Sequence, residues 1–303
     1  MRSEMLPAYL IHWDAPDWCV SAVHSLLESR GVDVRVTVID NGQRAGRPLT
    51  DLLGGRIRVI RSERNLGYAG GANIALADWG DSFPGSDLCL IGSHDLHVAP
   101  TTVQDLVRVA RQKKTYGVLA PAIEVPVDDS VFQSSGGVWT EQGAAQLPLT
   151  GASGVQDRDW VSGTCLVIRR SCVRQIGGFD ERFGSYVEDV DFCLRAKDRG
   201  WNVGVVTAAV ASSLGSASRD GVGLNEANLV LLAVKRRGLR SGLVESLHVI
   251  GRGVRSLGGS VAVWRDRRRR ESSRYFLTQH ARAAGTLLRR RGIIRSLARE
   301  RAG

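Results

Sequence analysis

Three acidic side chains stand where apolar runs end. Asp14 follows Ala8–Trp13, Asp40 closes Val34–Asp40, and Asp95 lies just beyond Leu88–Ile91. In an open α/β sheet, ligands bind in the crevice beyond the carboxyl ends of the strands. A single aspartate there is an ordinary helix cap; three in one sheet point to a ligand site. Asp95 sits in Ser93-His94-Asp95-Leu96-His97. Carboxylate oxygen suits Mn2+ or Mg2+, and imidazole tolerates manganese, so Asp95 with His97 could hold such an ion against a diphosphate. The plainer reading is a capped loop with two solvated histidines.

Two further segments carry chemistry. Asn65-Leu-Gly-Tyr-Ala-Gly-Gly-Ala-Asn73 places three glycines before a helix. Glycine lets a ligand approach the backbone, and a helix N-terminus favours phosphate. The spacing is not GxGxxG, so this is not a dinucleotide fingerprint. Gly177-Gly-Phe-Asp-Glu-Arg-Phe183 precedes Tyr186-Val-Glu-Asp-Val-Asp191. Glu188 and Asp189 open a helix whose dipole favours ionised carboxylates, so Asp189 could act as a general base on a hydroxyl. Simple capping of that helix is the alternative.

These segments need a scaffold. Strands are expected at Ala8–Trp13, Val34–Asp40, Arg56–Arg61, Leu88–Ile91 and Trp160–Arg169, with a last short one at Val203–Val206. Helices are expected at Trp18–Arg30, Ala69–Asp78, Thr101–Lys113 and Glu188–Arg199. Alternating strands and helices imply a mainly parallel central sheet flanked by helices. Asp128–Gly154, rich in Gly, Ser and Gln, reads as a loop or β-excursion over the active face.

The motif set resembles inverting glycosyltransferase family 2, in its rhamnosyltransferase-like branch. The resemblance rests on Ile39-Asp-Asn41, Asn65–Asn73, Asp95, Ser162-Gly163, and Gly177–Phe183 through Glu188-Asp-Val-Asp-Phe-Cys-Leu-Arg195, in that order over about residues 6–210. It implies a GT-A type nucleotide-diphospho-sugar transferase fold. Asp40 would then bond the nucleotide base, with Trp13 and Asp14 lining the base and ribose pocket. Asn65, Gly67, Asn73 and His94 would shape the donor site, and Gly163 would let the sugar pass close to the backbone. Asp95 would bind the divalent metal, Mn2+ or Mg2+, with His97 as a substitute ligand. Asp189 would be the catalytic base, and Glu188 would contact the acceptor. Three positions depart from the family pattern: Asp14 replaces an Asn, the acidic motif keeps one Asp, and Ala211–Ser216 offers serines where a His often stands.

Composition sets the outer limits. The 303 residues are 43% hydrophobic and 24% charged, ordinary for a globular protein with a full core. Five scattered cysteines without a CxxC pair fit reduced thiols and a cytoplasmic setting. No signal peptide is expected, and no window nears the roughly 18 apolar residues of a membrane span. Residues 235–303 hold 19 basic against 4 acidic residues, net +15, whereas 1–234 hold 22 against 27, net −5. The expected organisation is therefore a transferase domain at 1–215, with a nucleotide-binding half (1–100) and an acceptor and catalytic half (101–215). A basic helical extension follows at 216–303. Leu243, Leu247, Ile250 and Val254, the arginines of Arg265–Arg270, and Leu287–Arg301 give that extension an apolar-plus-basic pattern suited to an anionic membrane surface. Packing on the core or a homodimer contact is the alternative.

Three other function classes fit the sequence less well. Gly46-Arg-Pro-Leu-Thr50 echoes a sugar nucleotidyltransferase signature, but it follows the second strand instead of the first. Nucleic-acid binding would need stacking aromatics, and the basic tail has only Trp264, Tyr275 and Phe276. A catalytically inactive transferase-fold scaffold is opposed by the presence of Asp40, Asp95 and Asp189 together. The expected partners are a nucleotide-diphospho-sugar donor and a glycan, lipid-linked or small-molecule acceptor.

Overall fold

The computed structural model describes residues 4–42, 49–55, 57–127, 130–141, 143–151, 153–213, 221–248, 283 and 285–302. Its centre is a mixed sheet. Strands β1 (Glu4–His12), β2 (Val32–Asp40), β3 (Arg58–Arg61) and β4 (Leu88–Ser93) run parallel in the order β3-β2-β1-β4. Positions 6–12 of β1 and 88–92 of β4 are all buried, as expected of parallel strands covered on both faces. Beyond β4 lie β11 (Cys165–Arg169), β6 (Tyr116–Val127), β12 (Asn202–Ser213) and β10 (Val155–Arg158). Strand β11 is antiparallel to both β4 and β6, so the parallel arrangement stops there. Strand β12 then runs parallel to β6 and carries β5 (Leu96–Val98) antiparallel near its carboxyl end.

The helices follow the apolar pattern. Helix α4 (Thr102–Gln112) buries Val103, Leu106, Val107 and Ala110, an i, i+3, i+4, i+7 stripe. Helix α1 (Pro16–Leu27) opens on proline, whose fixed φ and missing N–H suit a first turn. Helix α3 (Gly67–Ser82) begins two residues earlier than expected, and α6 (Glu188–Asp198) begins at the expected residue. Short α2 (Leu49–Leu52) and α5 (Arg170–Ile176) complete this part.

Three expectations change. The strand is shorter than Trp160–Arg169: Trp160 makes only an isolated antiparallel bridge to Gly137, and the strand proper is Cys165–Arg169, leaving Ser162 and Gly163 in a loop. The last strand spans Asn202–Ser213 rather than four residues. Its second half is small and polar, and an irregularity between Val206 and Val210 breaks the alternation, so the apolar signal ends early. Strand β6 went unseen because Pro121 and Pro126 argue against a strand. Asp128–Gly154 contains β7 (Ser130–Ser134), β8 (Gly137–Thr140) and β9 (Gly143–Gln146).

The chain divides into two compact units. The first comprises Met1–Trp139, Ala144–Gly184 and Glu188–Ser216, and holds the sheet. The second comprises Thr140–Gly143, Ser185–Val187 and Ala217–Gly303. In the second, α7 (Gly221–Arg237) packs on α8 (Arg291–Ala302), and Val230 and Ala283 are buried with Leu287 against them. Buried Asn228 donates through Nδ2 to the carbonyls of Ser185 (2.8 Å) and Tyr186 (2.6 Å). Leu243 and Leu247 of this unit are exposed. Ile250, Val254 and Arg265–Arg270 lie outside the described residues. Among the described residues no helix is long and apolar enough to cross a membrane.

Candidate active site

The glycine-rich segment is built around Asn41. This buried amide donates through Nδ2 to the Gly67 carbonyl (2.7 Å) and Asn65 Oδ1 (3.2 Å), and its Oδ1 accepts from the Leu66 N–H (2.9 Å). Asn65 Oδ1 also accepts from the Gly67 N–H (2.8 Å). The loop thereby turns into α3 at Gly67, whose φ is +71°. A Cβ there would lie 2.6 Å from the Gly184 carbonyl carbon and oxygen, and the Ala69 N–H donates to that oxygen at 2.8 Å. The loop before α3 and the loop before α6 are thus clasped backbone to backbone. Asn73 joins the same clasp. Its Oδ1 accepts from the Phe179 N–H (2.7 Å), and its Nδ2 donates to the Phe179 carbonyl (3.0 Å) and Glu181 Oε1 (2.8 Å). The Asn73 amide braces the Gly177–Phe183 loop with these bonds.

Two carboxylates open α6. Asp189 Oδ2 accepts from the Gly163 N–H (2.7 Å), and its Oδ1 accepts from the Val190 N–H (2.8 Å). A Cβ on Gly163 would stand 3.3 Å from Asp189 Cβ and Oδ2, so only glycine lets the 162–164 loop come this close without displacement. Burial pushes the Asp189 carboxyl above the ordinary carboxylate value, while the N–H bonds from Gly163 and Val190 pull it down. At Asp189 desolvation therefore outweighs the N–H contacts at the start of α6. Glu188 is buried with Oε2 lacking a hydrogen-bond partner. Burial, then the charge of Asp189, holds its carboxyl well above the ordinary value. Both carboxyls are thus raised by burial, and the N–H bonds that oppose the rise are those to Asp189 from Gly163 and Val190. Asp191 does structural work: fully buried, it pairs with Arg195 at 2.8 Å, and Arg195 also donates to the carbonyls of Ile176 and Gly178.

Asp95 stands between β4 and β5, half-buried, with Oδ1 accepting from Ser93 Oγ and Oδ2 from Ser213 Oγ. Each oxygen keeps a lone pair for a cation. Among the described residues no group of three His, Cys, Asp or Glu side chains forms a metal cage. A Mg2+-like ion held by one carboxylate plus substrate phosphates and water asks for no cage, so Asp95 fits that kind of site. His97 is exposed and pairs across to Ser212, whereas Leu96 pairs to Ser213.

The remaining sequence-derived residues lie at the ends of β1 and β2. Asp40 is buried, with Arg61 Nε 3.7 Å from Oδ2 and with Oδ1 lacking a hydrogen-bond partner. An orphaned buried acceptor at a strand end is suited to a ligand donor. Trp13 is half-buried, and Asp14, with φ +51°, is exposed. His94 accepts or donates at Nδ1 to the Ile11 carbonyl (3.2 Å), stacks on Trp18, and meets buried His12 edge-on. Burial lowers the His94 pKa, against the opposing charge of Asp95.

Sequence reasoning overlooked Asn41, Ser213 and Tyr68 as site residues. Asn41 and Tyr68 sit inside quoted motifs but carry no charge. Ser213 took its significance from a strand whose second half was unseen.

A family model described as glycosyl transferase family group 2 matches residues 93–280. An N-acetylglucosaminyl-diphospho-decaprenol L-rhamnosyltransferase of Mycobacterium tuberculosis is 30% identical over 192 residues, covering 55% of this chain and 62% of the relative. The low-salt glycan biosynthesis hexosyltransferase Agl10 of Haloferax volcanii is 27% identical over 152 residues, 49% of this chain and 48% of the relative. The chain thus spans less than two thirds of the length of these curated relatives. Among solved structures, GalNAc-T7 with UDP, GalNAc and Mn2+ matches with TM-score 0.58 at 14% identity, over 75% of this chain and 48% of that one. The mannosyltransferase PcManGT of Pyrobaculum calidifontis, in complex with GDP-Man and Mn2+, also gives TM-score 0.58, at 12% identity over 95% and 88%. These two share the fold.

Proposed function

The chain belongs to glycosyl transferase family group 2, and we propose from that premise that it is an inverting enzyme with Asp189 as general base. The observation that carries this is the seat of Asp189: one oxygen on the Gly163 N–H, the other on the Val190 N–H, beside Glu188, whose carboxyl burial raises well above its ordinary value. In the proposed reaction an acceptor hydroxyl attacks the anomeric carbon of a nucleotide-diphosphate sugar. The bond from that carbon to the diphosphate oxygen breaks, and the hydroxyl proton passes to an Asp189 oxygen. Glu188 faces the acceptor, and the orphaned Asp40 Oδ1 takes a donor from the nucleotide base. Asp95 would hold a divalent cation, which supplies charge neutralisation at the leaving diphosphate when bound.

The acceptor proposed is lipid-linked. Support comes from the decaprenol-linked substrate in the printed name of the M. tuberculosis relatives, and from the +15 charge of residues 235–303. Basic residues near an anionic bilayer contribute about 1 kcal/mol each. Co-sedimentation should require anionic vesicles and weaken with salt; equal binding to neutral vesicles would remove this part of the proposal.

The function is tested by thermal shift against UDP, dTDP and GDP, with and without Mn2+. One nucleotide should stabilise the protein, more so with metal. A protein indifferent to all three would contradict a nucleotide-sugar donor.

A further inference from the structure

Tyr68 sits at the first turn of α3, and its phenol donates to the Gly163 carbonyl. Gly163 in turn donates its N–H to Asp189 Oδ2 at 2.7 Å. We infer that Tyr68 is a positioning residue that fixes the 162–164 loop and thereby the orientation and basicity of Asp189. This rests on the reading of Asp189 as the base.

The surroundings support the assignment. The Tyr68 ring meets Phe179 edge-on (6.1 Å between centroids), and Phe179 stacks on Phe192 of α6 at 4.3 Å. The phenol is therefore aimed by packing, from α3 through the Gly177–Phe183 loop to the helix that carries Asp189. Glycine has no side chain with which to anchor its own loop, so the carbonyl bond from Tyr68 is a direct restraint on it. Burial, then the charges of Glu188, Asp189 and Asp95, keep the phenol protonated well beyond its ordinary range. It remains a donor at every pH of interest and cannot itself be the base. The titratable groups facing Asp189 are Glu188 and Cys193 on its own helix and Tyr68 from α3. Both Glu188 and Cys193 are pushed toward their neutral forms by burial. The Gly163 N–H is thus one of the few influences that favour the charged form of Asp189.

Tyr68→Phe removes the hydroxyl and keeps the ring against Phe179. The measurement is nucleoside diphosphate release from UDP-, dTDP- and GDP-sugars, followed as a kcat–pH profile for whichever donor turns over. Tyr68→Phe should lower kcat roughly tenfold and leave the donor KM within about twofold. It should also move the acid limb upward by about one pH unit, because the carboxylate loses a charge-stabilising N–H bond. A residue that merely supports the fold would lower the melting temperature without moving that limb. An unmoved limb with kcat within twofold of the parent overturns the inference. If Asp189→Asn retains turnover, the base assignment itself fails; if Asp189→Asn is inactive and Tyr68→Phe is unaffected, only the role of Tyr68 fails.

Discussion

Gly67→Ala measures how much the clasp between the two active-site loops contributes. Gly67 has φ +71°, and an alanine Cβ would stand 2.6 Å from the carbonyl carbon and oxygen of Gly184. The left-handed conformation costs an L side chain about 1–2 kcal/mol. Relieving the overlap must displace backbone, at a further cost of about 1–3 kcal/mol. It would also stretch the 2.8 Å bond from the Ala69 N–H to the Gly184 oxygen. The expected sum is about 2–5 kcal/mol, which for a chain of this size lowers the melting temperature by roughly 3–8 °C. Gly80→Ala in the same helix is the control. Its Cβ would meet nothing within 4 Å, so it should stabilise by about 0.5–1 kcal/mol. Differential scanning calorimetry of both variants decides the matter. A Gly67→Ala protein that melts within a degree of the parent, or rises with Gly80→Ala, would refute the clasp as described.

Other outcomes follow from the same geometry. Glu188 has a folded pKa well above its unfolded one, so folding is favoured while it is protonated and penalised as pH rises above the ordinary carboxylate range. Glu188→Gln should therefore raise the melting temperature more at pH 8 than at pH 5; an equal change at both would show Glu188 to be ionised without cost. EDTA should abolish nucleoside diphosphate release and Mn2+ or Mg2+ should restore it, while Asp95→Asn should lose both turnover and metal-enhanced nucleotide binding. Full turnover in EDTA would leave Asp95 as a partner of Ser93 and Ser213 alone.

The strand ends were legible in the sequence because buried parallel strands are long apolar runs, and each run here stops at a polar residue. Asp40 and Asp95 could be placed on that ground, and Asp189 by the helix that opens at Glu188. What failed to show was anything carried by small or uncharged residues. Strand β12 fades into Ala209, Ala211 and Ser213, and β6 is broken by two prolines, so neither has a clean period. Asn73 looks like a ligand contact in sequence, yet its amide braces Phe179 and Glu181 across 106 and 108 residues of chain. Spacing along the chain cannot reveal such a partner.

The most direct test of the account is Asp189→Asn. The asparagine has nearly the same shape and can still accept from the Gly163 or Val190 N–H, but it cannot take a proton at neutral pH. Nucleotide-induced thermal shift should match the parent, while nucleoside diphosphate release from the donor falls by about 10²–10⁴-fold, the usual cost of losing a general base. An Asp189→Asn protein that binds nucleotide and turns over at near-parental rate would contradict the central claim.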